Sequence, residues 1–507
     1  MNTFYVGNIA DFETKADRYL TRSEDYEVLI NINNETNEKT LDISIKEMID
    51  SMNSLLEKLK THKAIKDDLY QQLIADPKKV KIPYLYFLPN ISNENDISLV
   101  PIITSRSSAT WKIGKYLNQL LQPFADKNLH STTFADGTDF IRKLNHYANT
   151  ERRLRPTTLF CTIKITNFYT LDEHQNMLDV IGYFLHDDLA TNKLESLTIQ
   201  TIRNLLYLFL YNNIFYYKDN IYKCTKGSPN TMALTETLSN IYLSVWQKKI
   251  LKEIDRNIEF FGRYKDQIFF TWNKSSALEL ETFIENIREK HQNVRFQKFI
   301  STNVQFLNAS IENRQGQLYS QVHYDSNKPR YTLPYLSGHS KSAHSDWLRT
   351  ALIRALCYCT SVDDFQQERI ALELTYFING YSLLFVETHI KHFFNYFHAQ
   401  TMRYSRIQNS YDKFRQQWFK FVEQLYELSE QLEKFNNNGR LIQFNYIYDF
   451  GPRCRSNREF YRLWYHYFQK HPTLSEENSK VILTTKHFHS LNTLFAIDKP
   501  PHTTVQQ

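Results

Sequence analysis

Apolar positions recur at helical spacing near the start of the chain, and they predict a helical N-terminal region. Over residues 41–59 the apolar side chains repeat as they do on one face of a helix. A second helical stretch ends near residue 75, because Pro77 disfavours a helical conformation at the residue before it. Residues 1–40 are polar, and the run NINNETNEKT within them predicts irregular structure.

From residue 80 the pattern changes to short strands alternating with helices. β-Branched and aromatic runs, broken by Pro and Asn, predict strands and loops over 81–108, and a helix follows at 111–124. Beyond it the pattern predicts a strand at 157–171, helices at 177–185 and 198–211, and a hairpin at 214–224. A helix at 230–250, a pair of strands at 258–272, a helix at 276–290 and further strands at 294–325 follow. A sheet covered on one face by helices accommodates this order, so the predicted fold class is α+β.

Helical periodicity dominates the C-terminal part of the chain. Apolar residues keep helical spacing from about 345 to 436, and the Asn-rich run at 436–440 interrupts it. A strand-like run at 442–450 is followed by a basic and aromatic segment, in which four arginines lie close together: Arg453, Arg455, Arg458 and Arg462. Clustered arginines of this kind predict contacts with the phosphates of a nucleic acid.

Composition restricts the class of protein. The chain has 507 residues, which is more than one hydrophobic core normally holds, so several lobes are expected. The formal net charge is +6, which permits binding of nucleic acid without requiring it. Aromatic residues make up 15% of the chain, and although most of them are expected to fill cores, exposed rings can stack on bases.

Cysteine usage and apolar runs bear on location. The five cysteines include no CxxC pair, which disfavours both a zinc site and a disulfide framework. The N-terminus shows no apolar signal segment, and the most apolar run, residues 205–217, is too short to cross a membrane. We therefore expect an intracellular protein, nuclear or cytoplasmic, that is not secreted and has no membrane contact.

Three motifs in the mixed region suit chemistry at a divalent cation. Residues 160–170 (FCTIKITNFYT) form a strand, residues 226–230 (KGSPN) open a helix, and residues 264–267 (YKDQ) form a tight turn between two strands. Hard divalent cations take oxygen ligands, and aspartates at such a turn and on the neighbouring strand converge on one place. Asp266 lies in that turn.

In this order the motifs resemble those of reverse transcriptases, and the wider pattern resembles the Penelope-like retroelement family. KGSPN…LSNIYL resembles the motif in which Gly-Ser-Pro opens a helix beside the template and the incoming nucleotide. RYKDQIFF lies where the family has Tyr-x-Asp-Asp, and IKITNFYT lies where it has Asp followed by Ile-Thr-Asn-Leu-Tyr-Thr. Flanking segments, PYLYFLPN…SLVPIITSRSS and VQFLNASI…SDWLRTALIRA, extend the resemblance to residues 80–500.

The resemblance implies a right-hand polymerase fold with fingers, a palm made of an antiparallel sheet covered by helices, and a helical thumb. The implied domains are an N-terminal helical extension at 1–78, fingers at 79–156, the palm at 157–325, and the thumb with a C-terminal end piece at 326–507. We expect no GIY-YIG endonuclease, which the family carries after its thumb, because the sequence stops at Gln507.

The sequence departs from the family at the catalytic positions. Asp266 is retained as the implied catalytic and metal-binding residue, but Lys164 and Gln267 occupy the other two carboxylate positions, and Val100 replaces an arginine. An ammonium at Lys164 repels a divalent cation by roughly 4 kcal/mol per unit charge at an effective dielectric near 20. One carboxylate and one amide do not hold two Mg²⁺ ions, so Mg²⁺ is expected as a cofactor only if activity remains.

The predicted function is therefore binding of nucleic acid by a retroelement-derived, catalytically degenerate protein whose partner is an RNA or DNA template–primer. The resemblance assigns nucleotide or template contacts to Tyr169, Lys226, Gly227, Ser228 and Pro229. Two alternatives stay open, an active RNA-directed DNA polymerase and a relic of a mobile element without function.

Several single residues have a plainer interpretation beside the functional one. An ion pair between Lys164 and Asp266 is favoured over contact of Lys164 with a phosphate. Tyr169 is equally well explained as a core residue, and Lys226 either contacts phosphate or caps a loop. Two acids near the next helix are interpreted as solvated side chains rather than replacement metal ligands: Asp172 and Asp179.

Overall fold

The computed structural model describes residues 8–22, 24–31, 35–90, 98–189, 191–253, 259–273, 276–324, 330, 332, 333, 335, 341–437, 440–447, 453–475 and 479–486. Within them, helices α1–α14 run over Ile9–Arg22, Glu35–Thr61, Asp67–Leu73, Trp111–Leu129, Gly137–Asn145, His174–Asp188, Ile199–Tyr211, Ala233–Glu253, Ala277–Lys290, Lys341–Tyr358, Val362–Ile378, Leu383–Tyr396, Gln408–Asn437 and Arg453–Phe468. Strands β1–β16 run over Tyr26–Asn31, Leu85–Asn90, Ser98–Ile103, Leu159–Ile165, Lys193–Leu194, Leu197–Thr198, Ile214–Tyr217, Asn220–Cys224, Phe261–Tyr264, Gln267–Trp272, Phe296–Ser301, Asn303–Phe306, Ala309–Arg314, Gln317–Val322, Leu441–Ile447 and Lys480–Lys486.

The described residues divide into two compact units. The first contains those up to Ala135 and those from Thr157 to Val304, and the second contains Asp136–Pro156 and those from Gln305 onward. The predicted boundaries of extension, fingers, palm and thumb are finer than this division and stay predictions.

A four-stranded antiparallel sheet in the first unit carries two of the three sequence motifs, FCTIKITNFYT and YKDQ, on β4 and at the β9–β10 turn. The third motif, KGSPN, comes just before α8, which packs on this sheet. Its strand order is β11-β4-β10-β9, so that β4 pairs with both β10 and β11. Successive side chains of a strand point to opposite faces. One face buries Ile163 and Phe270 in a large core with Trp246 of α8. The other face carries Lys164 and Gln267, and the sheet covered by helices confirms the predicted α+β class.

The N-terminal region is not irregular, and this prediction was wrong. Residues 9–22 form α1, whose buried Ala16 and Leu20 share a small core with Phe215. Strand β1 follows and pairs antiparallel with β8. Helix α1 buries only a narrow apolar face among polar residues, and no residue of β1 is fully buried, so the sequence pattern of neither element stands out. Residues 1–7, 23 and 32–34, within the same region that was predicted to be irregular, lie outside the described residues.

The second unit contains the helical C-terminal region that the apolar pattern predicts. The ring centroids of Phe365 and Tyr411 lie 5.2 Å apart in its core, and the Tyr411 hydroxyl donates a hydrogen bond to the carbonyl oxygen of Cys359 at 2.8 Å. Helix α13 ends at Asn437, inside the predicted break at 436–440, of which residues 438 and 439 lie outside the described part. No helix in the described ranges is long and apolar enough to span a bilayer.

Candidate functional site

The three positions that the resemblance marks as catalytic lie side by side on the four-stranded sheet. Lys164 of β4 is the direct partner of Gln267 of β10 in the antiparallel register. The backbone N–H of Ile165 donates to the carbonyl oxygen of Asp266 at 2.8 Å. Asp266 itself occupies the turn between β9 and β10, next to Lys265, whose φ is +50°. The predicted adjacency of these strands is confirmed.

Positive charge surrounds Asp266. Burial raises the pKa of its carboxyl group, while a backbone hydrogen bond and the charges of Lys164, Lys265 and Arg263 act in the opposite direction. The expected ion pair with Lys164 is not formed, because no Lys164 nitrogen comes within 4.0 Å of an Asp266 oxygen. Lys164 lies opposite Gln267, one position beyond Asp266, and its side chain is exposed.

These side chains do not fit the Mg²⁺ ion that an active family member implies. Among the described residues, no three His, Cys, Asp or Glu side chains are grouped in a way suited to a metal ion. Asp266 is the one carboxylate of the hairpin, and Glu236 on α8 is a second acid in its neighbourhood. Both oxygens of Glu236 lie near Lys265 Nζ, at 3.0 Å and 3.1 Å. The charge of Glu236 is thus neutralised by a cation of the same hairpin.

A buried arginine holds the hairpin in place. Arg263 is 0% exposed, and its Nη1 donates to Asn240 Oδ1 at 2.6 Å and to the carbonyl oxygen of Lys265 at 2.8 Å. Burial lowers its pKa to about 10, while the charges of Asp266 and Glu236 raise it. Sequence reasoning missed this residue. The signal was strand alternation, because Arg263 pairs with the buried Ile268 and shares its face.

Tyr169 and Gly227 are packed backbone to backbone beside the hairpin. Gly227 has φ +58°, and a Cβ atom there would lie 1.9 Å from the carbonyl oxygen of Tyr169, so only glycine fits. Burial raises the pKa of the half-buried Tyr169, and the charge of Glu236 adds to that effect while Lys265 opposes it. The charge of Asp266 also acts on the Tyr169 hydroxyl, and the nucleotide contact assigned to Tyr169 stays a prediction.

The rest of the KGSPN loop is engaged in contacts within the protein. Ser228 and Pro229 are buried, and Thr235 Oγ1 donates to the Pro229 carbonyl at 2.7 Å while it lies 2.7 Å from Ser228 Oγ. Lys226 Nζ lies 3.5 Å from Glu24 Oε2. These contacts fix the start of α8. The nucleotide contacts assigned to Lys226, Gly227, Ser228 and Pro229 stay a prediction.

The same loop is bound to β3. Asn230 Nδ2 donates to the Pro101 carbonyl at 2.8 Å, and Thr231 Oγ1 donates to the Ile103 carbonyl at 2.5 Å. The loop therefore joins the β2–β3 hairpin, the 169–174 segment and α8.

Asp172 is not a solvated acid, and here the sequence interpretation was wrong. It is 5% exposed and accepts hydrogen bonds from the Tyr242 hydroxyl at 2.7 Å and from Asn293 Nδ2 at 2.9 Å. These donors occupy its oxygens, so Asp172 organises the loop rather than offering a metal ligand. Asp179, in contrast, is exposed on α6 beside Arg203, as predicted.

His174 links the same segment to Gly227. Its Nε2 lies 2.9 Å from the Gly227 carbonyl oxygen, so this nitrogen carries the proton and donates. Burial lowers the pKa of His174, and the contact with Gly227 raises it in part. No feature of the sequence pattern singled out this histidine.

The arginine-rich segment forms α14. Arg462 is exposed, and its Nη2 lies 2.7 Å from Glu459 Oε2. The side chains of the other three arginines lie outside what the structure describes, namely Arg453, Arg455 and Arg458. Their phosphate contacts stay a prediction.

Comparison with known proteins yields one family match and several solved polymerases. Residues 331–391 match the model of the animal helix-turn-helix domain. No curated protein matches the sequence. Telomerase from Candida albicans, solved with the TWJ fragment of telomeric RNA, is 10% identical with a TM-score of 0.48, over 72% of this chain and 65% of that chain. The RNA-dependent RNA polymerase of a human picorbirnavirus is 8% identical with a TM-score of 0.44, over 80% of each chain. This chain thus spans less than two thirds of the telomerase chain.

The helix-turn-helix match falls on the second unit, within the region that the sequence assigned to a helical thumb. Residues 379–382 join α11 to α12, and Gly380 in this turn has φ +87°. Leu383 and Leu384 are exposed at the start of α12.

Proposed function

We propose that this chain is a reverse-transcriptase-like protein, derived from a retroelement of the Penelope-like group, that binds an RNA or DNA template–primer without extending it. The observation that carries the proposal is the strand register that places Lys164 opposite Gln267 and beside Asp266. The order and adjacency of the strands agree with a polymerase palm. The ammonium of Lys164 disagrees with the cluster of carboxylates that an active palm needs at the same place.

The charges at this site favour phosphate over metal. Two-metal catalysis of phosphoryl transfer needs several carboxylates around both ions. Here Lys164 is exposed and lacks an ion pair with Asp266, while Lys265 neutralises Glu236. An exposed ammonium attracts a phosphate oxygen and repels Mg²⁺. We accordingly propose that binding requires no metal cofactor and takes place inside the cell, in the nucleus or cytoplasm.

The second candidate is an RNA-directed DNA polymerase that still works. Glu236 favours it, because this acid interacts with the same Arg263 guanidinium as Asp266 does. Movement of Lys265 away from Glu236 would leave two carboxylates in one neighbourhood. The two candidates differ in whether primer extension occurs.

Primer extension and binding on the same protein separate these functions. A fluorescently labelled RNA template with a DNA primer would be incubated with the full chain and deoxynucleotides in Mg²⁺ and, separately, Mn²⁺. We expect salt-sensitive binding by fluorescence anisotropy and no extension. The double variant Lys164→Asp with Gln267→Asp tests whether restored carboxylates restore synthesis. Extension by the unmodified chain that disappears in Asp266→Asn would establish the polymerase instead, and absence of binding would refute both candidates.

A further inference from the structure

One exposed aromatic ring stands on the face of the sheet that carries Lys164. Phe299 lies on β11 opposite Thr162, and its side chain is 56% exposed. Thr162 and Lys164 are two positions apart on β4, so Phe299 and Lys164 share a face. Large apolar side chains of an inner sheet face are normally covered, as Phe269 on the same face is.

The register also brings hydrogen-bond donors into one row across the sheet. Gln297, Lys164, Gln267 and Tyr264 are successive partners on β11, β4, β10 and β9. Neighbouring strands lie about 4.8 Å apart, so the row is continuous. Phe299 is the diagonal neighbour of Lys164, at a Cβ separation of about 7 Å in this geometry.

Charge and shape on this face favour one kind of occupant. The row next to these donors consists of Phe299, Thr162, Phe269 and Gly262, so neither row contains an acid. A cation beside an exposed ring matches a nucleotide, whose phosphate is anionic and whose base has an open π-face. A base in a duplex is stacked on both faces and paired along one edge, whereas an unpaired base in a single strand is free to stack on a side chain.

We propose that Phe299 and Lys164 form a binding platform for single-stranded nucleic acid, with one unpaired base stacked on the Phe299 ring and an adjacent phosphate bound by Lys164. Gln267 and Gln297 flank the ammonium and donate to the same backbone or base edge. The inference rests on the proposed function and specifies its ligand as a strand with unpaired bases. It also gives Lys164 a role, because a carboxylate at this position without a metal would repel the phosphate.

Anisotropy with a labelled single-stranded oligonucleotide and with a blunt hairpin duplex of the same length tests the platform in the full chain. Phe299→Leu keeps an apolar side chain and removes the ring, and it should weaken single-strand binding about 5- to 150-fold, the range for removal of one stacked base. Phe299→Tyr keeps the ring and should retain binding.

Lys164→Gln should lower the salt slope by about 0.7, as expected for one phosphate contact with a single strand. Tyr183→Leu, at an exposed aromatic on α6, is the matched control and should have no effect.

Stacking of a base on the Phe299 ring can be detected separately from binding by the fluorescence of a base analogue. A 2-aminopurine base in the oligonucleotide should lose fluorescence on binding to wild type and to Phe299→Tyr, and not with Phe299→Leu. If the wild-type chain binds neither oligonucleotide nor the template–primer, the proposed function is wrong. If it binds them and Phe299→Leu behaves like Tyr183→Leu, the platform is wrong while the proposed function stands.

Discussion

Lys265 and Glu236 form an ion pair at the edge of the sheet, with Nζ 3.0 Å from Oε1. This contact joins the β9–β10 turn to the first turn of α8, and it engages Glu236, whose charge acts on Arg263 together with that of Asp266. Asp266 therefore remains in the turn of the hairpin, while the charge of Glu236, the second acid in its neighbourhood, is neutralised. The most direct consequence that we expect from this neutralised charge is a low affinity for divalent metal ions, which can be measured independently of catalysis.

The wild-type chain should show no saturable Mn²⁺ binding at the hairpin, and Lys164→Asp with Gln267→Asp should gain it. The double change removes a repelling ammonium and adds two oxygen ligands next to Asp266. Electron paramagnetic resonance of free Mn²⁺ measures the difference. Lys115→Asp with Gln119→Asp, at exposed positions of α4 that have no acid within six residues along the chain, makes the same change in charge elsewhere and should bind no ion tightly. Mn²⁺ binding by wild type that disappears in Asp266→Asn would contradict the prediction.

Gly227→Ala should destabilise the protein far more than Gly380→Ala. Both glycines have positive φ, +58° and +87°, so alanine is strained by about 1 kcal/mol or more at either place. At Gly227 the new Cβ would also lie 1.9 Å from the Tyr169 carbonyl oxygen, whereas the nearest atom at Gly380 is the Cβ of Tyr335 at 3.8 Å. We expect the free energy of unfolding to fall by roughly 3 kcal/mol or more for Gly227→Ala. Urea denaturation of both variants measures it, and equal decreases would show that the loop yields easily.

The order of the motifs was enough to predict that β4 and β10 are neighbours, because the resemblance implies that the strand with IKITNFYT pairs with the hairpin that contains YKDQ. The positions of Lys164, Gln267 and Asp266 follow directly from that register. The Lys164–Asp266 ion pair was predicted wrongly, since strand alternation and a turn separate the two side chains even though their strands are neighbours.

Buried polar networks were beyond the sequence for a different reason. Arg263 and Asp172 look like surface residues by type, and what buries them is the convergence of distant segments. Asn240 and Asn293 supply their partners from positions far along the chain. Helix α1 was missed because few of its residues are apolar, and tertiary contact with β8 and its neighbours decides the structure there.

His174 should make the stability of the protein depend on pH. Burial lowers its pKa below the ordinary value of 6.5, so the unfolded chain takes up a proton first as the pH falls. The free energy of unfolding should therefore decrease as the pH drops through the ordinary value, and it should level off once the pH is below the folded-state pKa. His174→Gln keeps a donor for Gly227 and should flatten this dependence. Urea titrations between about pH 7.5 and pH 5 test it, with His186→Gln on α6 as the control for removing an exposed histidine.

The arginines of α14 should contribute to the salt dependence of nucleic-acid binding. Each phosphate contact releases condensed counterions, so on duplex DNA the slope of log K against log salt falls by about 0.9 for every such contact that a substitution removes. Substituting all four by alanine should flatten the slope for a labelled duplex, namely Arg453, Arg455, Arg458 and Arg462. Arg462 is held 2.7 Å from Glu459, so Glu459→Gln should release it and tighten binding.

The control for this charge removal is a set of four exposed lysines in the first unit, changed to alanine together: Lys63, Lys66, Lys78 and Lys79. Both quadruple variants lower the net charge equally, so a general weakening of the positive field would flatten both slopes alike. A local phosphate contact flattens only the slope of the α14 variant, because counterions are released where the phosphates are neutralised. An unchanged slope in the α14 variant would leave these arginines as ordinary surface charge, and the sheet face around Lys164 would then have to account for the binding.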